Sequence, residues 1–281
     1  MRRYTVLTIV IVSLAAVVLL LRQPRTYPGP SVQTDIPVPS VTPAPKPELP
    51  FVLYTAPKLP KKHDYTVVFL GDSMTAALGP YTDLFRKDIE DKYLDVGLIV
   101  RNESAPASNV ASLQDRLLSK STESGALYDA VLSKSFDIIV IESFGYNPLS
   151  YLGTTEGIDK ANESLKTAMR ILVRERPNSL IVFLATIAPS HTMYGVGEVK
   201  LTPAQRNEWA TERDLYIENH IKFAKDHNIP LVDVYHLTKD RNGSGLLKYI
   251  EPQYHIHPSQ LGVNLIEDQL ANYFIQAKVF E

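Results

Sequence analysis

The sequence contains no cysteine among its 281 residues. This absence excludes disulfide bonds, a thiol nucleophile and cysteine-ligated metal centres. An excess of charge is also missing, since 29 Lys and Arg face 31 Asp and Glu, a formal net charge of −2. A chain without a basic excess does not attract polyanions electrostatically, so we expect no nucleic-acid partner.

Charge is also absent from one long run, Tyr4–Leu21, which is dominated by Val, Leu, Ile and Ala and flanked by arginines. At about 1.5 Å per residue this run nearly spans a hydrocarbon core of about 30 Å. We predict an uncleaved transmembrane anchor over residues 1–22. A cleaved signal peptide, whose apolar region is usually shorter, is the alternative. Arginines on both sides leave the orientation open, and we expect the C-terminal part to be extracytoplasmic.

Proline is concentrated in one segment, because residues 23–60 hold 11 of the 20 prolines. That density excludes a helix or a central strand and favours an extended polyproline II conformation. We predict a linker over residues 23–60, acting as a semi-rigid spacer or simply disordered. The remaining residues, 61–281, are predicted to form the folded domain.

The domain alternates buried apolar runs with helical segments. We predict five strands, at residues 66–70, 96–100, 136–141, 179–186 and 230–234. Continuous apolar strands separated by helices indicate a parallel sheet covered on both faces. The predicted fold is therefore a three-layer α/β/α sandwich with a central five-stranded parallel sheet, of the flavodoxin-like kind.

Helices are predicted between these strands from periodicity and capping signals. They cover residues 80–93, 110–118, 126–132, 158–174 and 203–227, and a last one opened by Pro258 with Leu261, Leu265, Leu270 and Phe274 facing inward. The capping box Thr202–Gln205, with proline in the first turn, marks one helix start. Right-handed crossovers then place the carboxyl ends of all five strands at one edge, where ligands bind.

Three polar side chains follow strands or precede the last helix at that edge. Ser73 comes directly after the first strand, where it is either a nucleophile or, together with Asp72, a helix cap. His257 precedes the last helix, whose positive end favours a neutral imidazole that can accept a proton. A helix-capping histidine is the alternative. Asn147, in a Gly-Tyr-Asn-Pro motif at residues 145–148, can donate to an oxyanion or form a turn.

No cofactor and no metal is predicted at this edge. His255 and His257 could share an ion, but no carboxylate cluster at ligand spacing accompanies them. His191 lies in a long loop over the same edge, where it is expected to be a substrate-loop or surface residue.

Taken together, Gly71-Asp72-Ser73, Asn147 and His257-Pro258 resemble the SGNH (GDSL-type) hydrolase family over about residues 64–280. The resemblance implies that Ser73 is the nucleophile and His257 the base. It also implies an oxyanion hole formed by the N–H groups of Ser73 and Ala107 and by the amide of Asn147.

The sequence departs from the family pattern at two positions. Ala107 stands where the family has glycine; it keeps the N–H donor, provided that the backbone torsions there are open to a residue with a Cβ. Tyr254 stands three residues before the histidine, where the family has the aspartate that orients it. Three carboxylates are possible replacements, and spacing selects none of them: Glu251, Asp240 and Glu142.

The expected function is a membrane-anchored serine ester hydrolase. Its substrate would be a small-molecule or polysaccharide ester of the envelope or extracellular space, such as an O-acetylated polysaccharide or a lipid ester. Because of the two departures, a catalytically weak or inactive domain that binds carbohydrate is the alternative.

Overall fold

The computed structural model describes residues 53–281. The predicted anchor at residues 1–22 and most of the predicted linker lie outside the described residues. Within residues 53–281, no helix is long and apolar enough to cross a membrane.

The architecture is a parallel sheet with an added hairpin. The strands are β1 Asp64–Leu70, β2 Gly97–Asn102, β3 Ser121–Glu123, β4 Ala126–Tyr128, β5 Ile138–Glu142, β6 Leu180–Ala185 and β7 Leu231–Asp233. Five of them pair in parallel in the order β2-β1-β5-β6-β7. This is the flavodoxin-like order, so the predicted central sheet is confirmed.

The register of the sheet sets where its loops begin. Leu70, the last residue of β1, lies opposite Ile141 of β5. The chain therefore leaves both strands at the same level, and Gly71 lies beside Glu142. The apolar side chains of β1 alternate between two clusters, with Val67 and Phe69 in one and Val68 and Leu70 in the other. Both faces are buried, which is why the strand reads as one continuous apolar run.

Helices cover both faces of the sheet. They are α1 Ser73–Ala76, α2 Asp83–Lys92, α3 Leu113–Leu118, α4 Thr154–Glu175, α5 Pro203–Asp226 and α6 Gln260–Gln276. On one face, Phe85 of α2 packs edge-to-face against Phe69 at 5.9 Å and against Phe274 of α6 at 5.2 Å. On the other face, α3 and α4 supply the apolar cluster, and α5 contributes to both clusters.

The helix starts follow local capping chemistry. The capping box between Thr202 and Gln205 is present and opens α5, as predicted. The last helix begins at Gln260 rather than at Pro258, because Ser259 is its cap and accepts from the Gly262 N–H at 3.2 Å. The buried residues of α6 are Gly262, Ile266, Glu267, Leu270, Ala271 and Phe274. Leu261 precedes this stripe by one position and is 58% exposed, so the prediction that it faces inward is wrong.

The helix predicted at residues 126–132 is also wrong. Residues Ala126–Tyr128 form β4, which pairs with β3 as an antiparallel hairpin. Its two-residue turn is Ser124-Gly125, and both residues have positive φ, 49° and 80°. Turns with positive φ at both residues match the twist of a hairpin. The Ser-Gly dipeptide therefore indicates the hairpin, whereas the helical periodicity of residues 126–132 is misleading.

Part of the predicted linker contacts the domain. The Tyr54 side chain is 6% exposed, and its hydroxyl accepts from the Ile181 N–H at 2.9 Å. The Tyr54 N–H donates to the His227 carbonyl at 2.9 Å. Leu59 is buried as well, in the cluster that also contains Tyr65. The segment from Tyr54 to Leu59 therefore stabilises the domain rather than only spacing it.

This packing predicts how two neighbouring residues differ. Tyr54→Ala should lower the free energy of unfolding by about 3–5 kcal/mol, because a large buried side chain is lost. Leu53→Ala is the matched control, since Leu53 is 61% exposed; it should change stability by less than about 0.5 kcal/mol. Urea unfolding measures both, and equal values for the two variants would contradict the packing.

Candidate active site

Gly71 allows the ends of β1 and β5 to meet. A Cβ at Gly71 would lie 2.4 Å from Thr75 Oγ1 and 2.8 Å from Glu142 Cβ, both too close for any other residue. Ser73 follows two residues later as the first residue of α1, and it is half-buried. The tight turn thus brings Ser73 to the carboxyl edge of the sheet.

Asp72, not Ser73, caps the short helix α1. Its Oδ1 accepts from the Met74 N–H at 2.8 Å. Its Oδ2 accepts from Asn147 Nδ2 at 2.8 Å. Within residues 53–281, the Ser73 hydroxyl forms no hydrogen bond, so capping does not occupy it. The Asp72 carboxylate therefore joins the Asn147 side chain to the turn that carries Ser73.

Asn147 is held by a strained turn after β5. Phe144 is buried and has a positive φ of 55°, an unfavourable conformation for a residue with a Cβ. Its carbonyl accepts from the Asn147 N–H at 3.1 Å. Gly145 lies against α5, where a Cβ would be 2.3 Å from Ile217 Cγ1. The turn thus orients the Asn147 side chain towards Asp72.

Ala107 lies in a loop that docks on Gly71. The Gly71 carbonyl accepts from the Ala105 N–H at 2.9 Å and from Ser108 Oγ at 3.4 Å. The φ of Ala107 is 61°, in the left-handed region that an L-residue reaches at a cost of roughly 1–2 kcal/mol. The torsion is therefore open to alanine, and the N–H donor is kept. Asn102 donates to the Thr75 and Gly79 carbonyls, both at 2.8 Å, and ties the start of this loop to α1.

His257 lies in a short loop before α6. Ile250 and Pro258 close the loop as an antiparallel bridge, and the Glu251 N–H donates to the His257 carbonyl at 2.9 Å. The imidazole is half-buried. In the part of the chain that the structure describes, it makes no side-chain hydrogen bond, and Ser73 is not joined to it. Catalytic hydrogen bonds are often long without substrate, so the geometry keeps His257 as a candidate.

The residue three positions before His257 does not replace the missing aspartate. The Tyr254 hydroxyl accepts from Gln253 Nε2 at 2.6 Å. Asp240 is also committed elsewhere, because its Oδ1 accepts from the N–H groups of Asn242 and Ser244 at 2.8 and 3.0 Å.

Glu251 is the carboxylate that organises the His257 loop. It accepts from the N–H groups of Gln253 at 2.7 Å, Tyr254 at 3.0 Å and Ile256 at 3.3 Å. Partial burial raises its pKa, but these hydrogen bonds and the charge of His257 outweigh burial and leave the pKa below its ordinary value. A negative charge is therefore held close to the imidazole.

A pair of buried carboxyls lies next to Ser73. Asp72 and Glu142 are both buried, and each carboxyl influences the pKa of the other. Burial raises the pKa of Asp72, and donors from Met74 and Asn147 oppose the rise. Burial and the Asp72 charge raise the pKa of Glu142 well above its ordinary value. Sequence spacing does not reveal this pair, because Asp72 follows β1 and Glu142 ends β5, and only the sheet brings the ends of these two strands together.

The loop at residues 187–201 reaches from α5 to the His257 loop. His191 Nε2 lies 2.5 Å from Asp214 Oδ2 of α5. At the other end, a Cβ on Gly197 would lie 2.7 Å from the Gln253 carbonyl oxygen. His191 is therefore an anchor of this loop. Among residues 53–281, no group of three or more His, Asp or Glu side chains is arranged to hold a metal ion.

Solved structures share this fold at low sequence identity. A lipase/acylhydrolase from Enterococcus faecalis has a TM-score of 0.53 and 18% identity, covering 76% of this chain and 96% of that one. A GDSL-like lipase from Bacteroides thetaiotaomicron has a TM-score of 0.52 and 14% identity, covering 76% and 89%. An acetylxylan esterase from Geobacillus stearothermophilus has a TM-score of 0.52 and 17% identity, covering 80% and 97%.

No protein-family model and no curated protein matches the sequence. The solved structures show that the chain has the fold of the GDSL-type lipases and acylhydrolases. The predicted resemblance to SGNH hydrolases is therefore confirmed at the level of fold.

The lowered pKa of Glu251 predicts a pH-dependent stability. Its contribution is present above the unfolded pKa of about 4.3 and is lost as the pH falls through the lower folded value. Glu251→Gln should therefore unfold more easily than the wild type at neutral pH, and the difference should shrink below about pH 4. Denaturant midpoints across pH test this, with exposed Glu208→Gln as the control. A difference between Glu251→Gln and wild type that does not vary with pH would exclude the proposed origin.

Proposed function

We propose that this chain is a serine ester hydrolase with Ser73 as nucleophile and His257 as general base. The observation that carries the proposal is the hydrogen bond from Asn147 Nδ2 to Asp72 Oδ2 at 2.8 Å. It supports the proposal because it holds an amide donor against Asp72, the residue before a serine whose hydroxyl makes no hydrogen bond within residues 53–281. The fold shared with lipases, acylhydrolases and an acetylxylan esterase supports the same reading.

In the acylation step, Ser73 Oγ attacks the ester carbonyl carbon while His257 takes the hydroxyl proton. The carbonyl π electrons move to the oxygen. As the tetrahedral intermediate collapses, the bond to the alkoxy oxygen breaks, and His257 gives its proton to the leaving alcohol. The products of this step are the alcohol and an acyl ester on Ser73.

The negative oxygen of the intermediate is stabilised by three donors. They are the N–H groups of Ser73 and Ala107 and the second N–H of the Asn147 amide, whose first N–H binds Asp72. Donors fixed before the reaction cost no reorganisation when the charge develops.

Water completes the cycle by the same chemistry. His257 removes a proton from a water molecule, which attacks the acyl carbon. As the second tetrahedral intermediate collapses, the bond to Ser73 Oγ breaks, His257 returns the proton to Oγ, and the carboxylic acid leaves. The positive charge of His257 lowers the pKa of both Asp72 and Glu251. The imidazolium formed in each step is therefore close enough to be stabilised by the negative charges of these two carboxyls. These two carboxylates take the place of the aspartate that Tyr254 replaces.

The proposal includes a class of substrate, an envelope ester, and a location, outside the membrane and anchored to it. An anchor at residues 1–22 and a spacer behind it would hold the domain outside the membrane, within reach of envelope esters. Such a substrate is an O-acetylated polysaccharide or a lipid ester, and p-nitrophenyl acetate serves as a small ester probe.

The first test concerns Ser73. The full chain should hydrolyse p-nitrophenyl acetate, and Ser73→Ala should lose at least about 10³-fold in kcat. A fluorophosphonate probe should label the wild type at Ser73 and leave Ser73→Ala unlabelled. Ser119→Ala, on an exposed residue after α3, is the matched control and should keep the wild-type rate. Equal rates in Ser73→Ala and wild type would refute the assignment of the nucleophile.

The second test concerns the oxyanion donors. Asn147→Ala should lower kcat by about 10²–10³-fold with little change in KM, because the donor acts mainly in the transition state. Ala107→Gly should keep kcat within about twofold, since the N–H remains and the left-handed torsion becomes easier. If Ala107→Gly lost as much activity as Asn147→Ala, the side chain at residue 107 rather than its N–H would matter.

A carbohydrate-binding domain without catalysis is the second candidate. It is favoured by one observation, the Tyr254 hydroxyl bound to Gln253 instead of a carboxylate bound to His257. The fluorophosphonate probe separates the two candidates. A folded chain that remains unlabelled at Ser73 would support binding, whereas labelling would support catalysis.

A further inference from the structure

Glu142 is a buried carboxyl that the proposed reaction leaves without a role. It ends β5, is 1% exposed, and cannot reach solvent. The Ser143 hydroxyl donates to one of its oxygens, and the Phe144 N–H donates to the other at 3.0 Å. Asp72 lies close by, because the ends of β1 and β5 meet at Gly71, and its charge acts on the Glu142 carboxyl. Burying a carboxyl costs free energy, so a glutamate in this position is a candidate for a functional role.

Two neighbouring carboxyls in a buried site resist ionising together, so the Asp72–Glu142 pair favours a state that holds one proton. Asp72 is the better anion, because it accepts from Met74 and Asn147 and faces the charge of His257. Glu142 is the better acid, since burial and the Asp72 charge raise its pKa. In that state the proton belongs on Glu142, and Asp72 carries the charge.

The ionised Asp72 decides which way the Asn147 amide points. With Nδ2 towards Asp72, the amide donates at 2.8 Å. In the flipped orientation, Oδ1 would face a carboxylate oxygen, and both atoms are acceptors. The carboxylate thus selects the orientation in which the second N–H of the amide is free for an oxyanion.

We propose that Glu142 is a positioning residue, whose protonated carboxyl holds Asp72 so that Asp72 presents the Asn147 N–H to the oxyanion. This inference rests on the proposed hydrolase function and adds a residue to its oxyanion hole. Glu142 touches neither the substrate nor the reacting atoms.

The surroundings determine how the pair responds to pH. His257 faces Asp72 from the loop before α6. Tyr146 and Tyr194 also feel the Asp72 charge, and burial raises the pKa of both hydroxyls, so they stay neutral. On α5, burial lowers the pKa of His220, next to Ile141, to about 3, so it too stays neutral. At high pH the pair loses its shared proton, and two buried charges then repel each other. Activity should therefore fall on the alkaline side.

Kinetics of a double-mutant cycle test the positioning role. Glu142→Leu should lower kcat on the order of 10-fold to 100-fold with KM nearly unchanged, because a misplaced donor costs that much. The double variant Glu142→Leu/Asn147→Ala should be no slower than Asn147→Ala alone. Glu142→Gln, which keeps a donor to Asp72, should recover most of the lost rate and shift the alkaline limb. Additive losses in the double variant would overturn the proposal.

Glu267→Gln is the matched control for a buried glutamate. Glu267 lies on α6 and accepts from the Phe85 N–H at 2.9 Å. This substitution should leave kcat and the alkaline limb unchanged. If it shifted that limb as Glu142→Gln does, the effect would come from general destabilisation and not from positioning.

Two further readouts do not depend on activity. Infrared difference spectra should show the carbonyl band of a protonated carboxyl that Glu142→Gln removes; no such band would contradict the shared proton. Because the folded pKa of Glu142 is raised, its contribution to stability is present below the unfolded pKa and is lost as the pH rises through the folded value. Glu142→Gln should remove that loss.

Different experimental results would contradict the proposed function and the role of Glu142. An active Ser73→Ala would remove the hydrolase mechanism. A Ser73-dependent hydrolase whose Glu142→Leu variant folds and keeps full kcat would remove only the role of Glu142. Should Glu142→Leu fail to fold, the pH profile and infrared spectrum of Glu142→Gln still decide the question.

Discussion

The close approach of β1 and β5 at Gly71 is the constraint on which the rest of the site depends. Without a Cβ at Gly71, the end of β5 lies directly against the turn, and Glu142 reaches Asp72. The carbonyl of the same glycine holds the loop that carries Ala107. One missing side chain therefore lets the three segments that follow β1, β2 and β5 meet at Gly71 and Asp72, directly before Ser73.

Negative charge near the His257 imidazole does not come from the residue three positions before it. The position that could have carried an orienting aspartate is Tyr254, and its hydroxyl contacts Gln253. Negative charge near the ring is instead carried by Glu251, held by backbone N–H groups, and by Asp72, held by Asn147 and the Met74 N–H. Neither carboxylate hydrogen-bonds the His257 ring within the described residues, so both act through space, and the bridged loop fixes the backbone that carries the ring.

Periodicity and chain order predicted the five strands, their parallel sheet and the edge that carries Ser73 and Asn147. Those features depend on short apolar runs and on the handedness of crossovers, which local sequence encodes. The carboxyl pair, the Glu251 cradle and the contact between His191 and Asp214 depend on backbone positions or on chain segments far apart, so spacing could not reveal them. In the hairpin at Ser121–Tyr128, the Ser-Gly turn and not the helical periodicity of the residues after it decides the local structure.

Two strained torsions flank the site, and both support preorganisation. Phe144 and Ala107 adopt positive φ, 55° and 61°, at a cost that surrounding structure must offset. The Phe144 carbonyl accepts from the Asn147 N–H, and the Ala107 N–H is a proposed oxyanion donor. A buried acid pair likewise lowers stability unless its hydrogen bonds are complete. In the proposed reaction, these costs fall on folding rather than on the transition state, because the donors are aligned before the ester arrives.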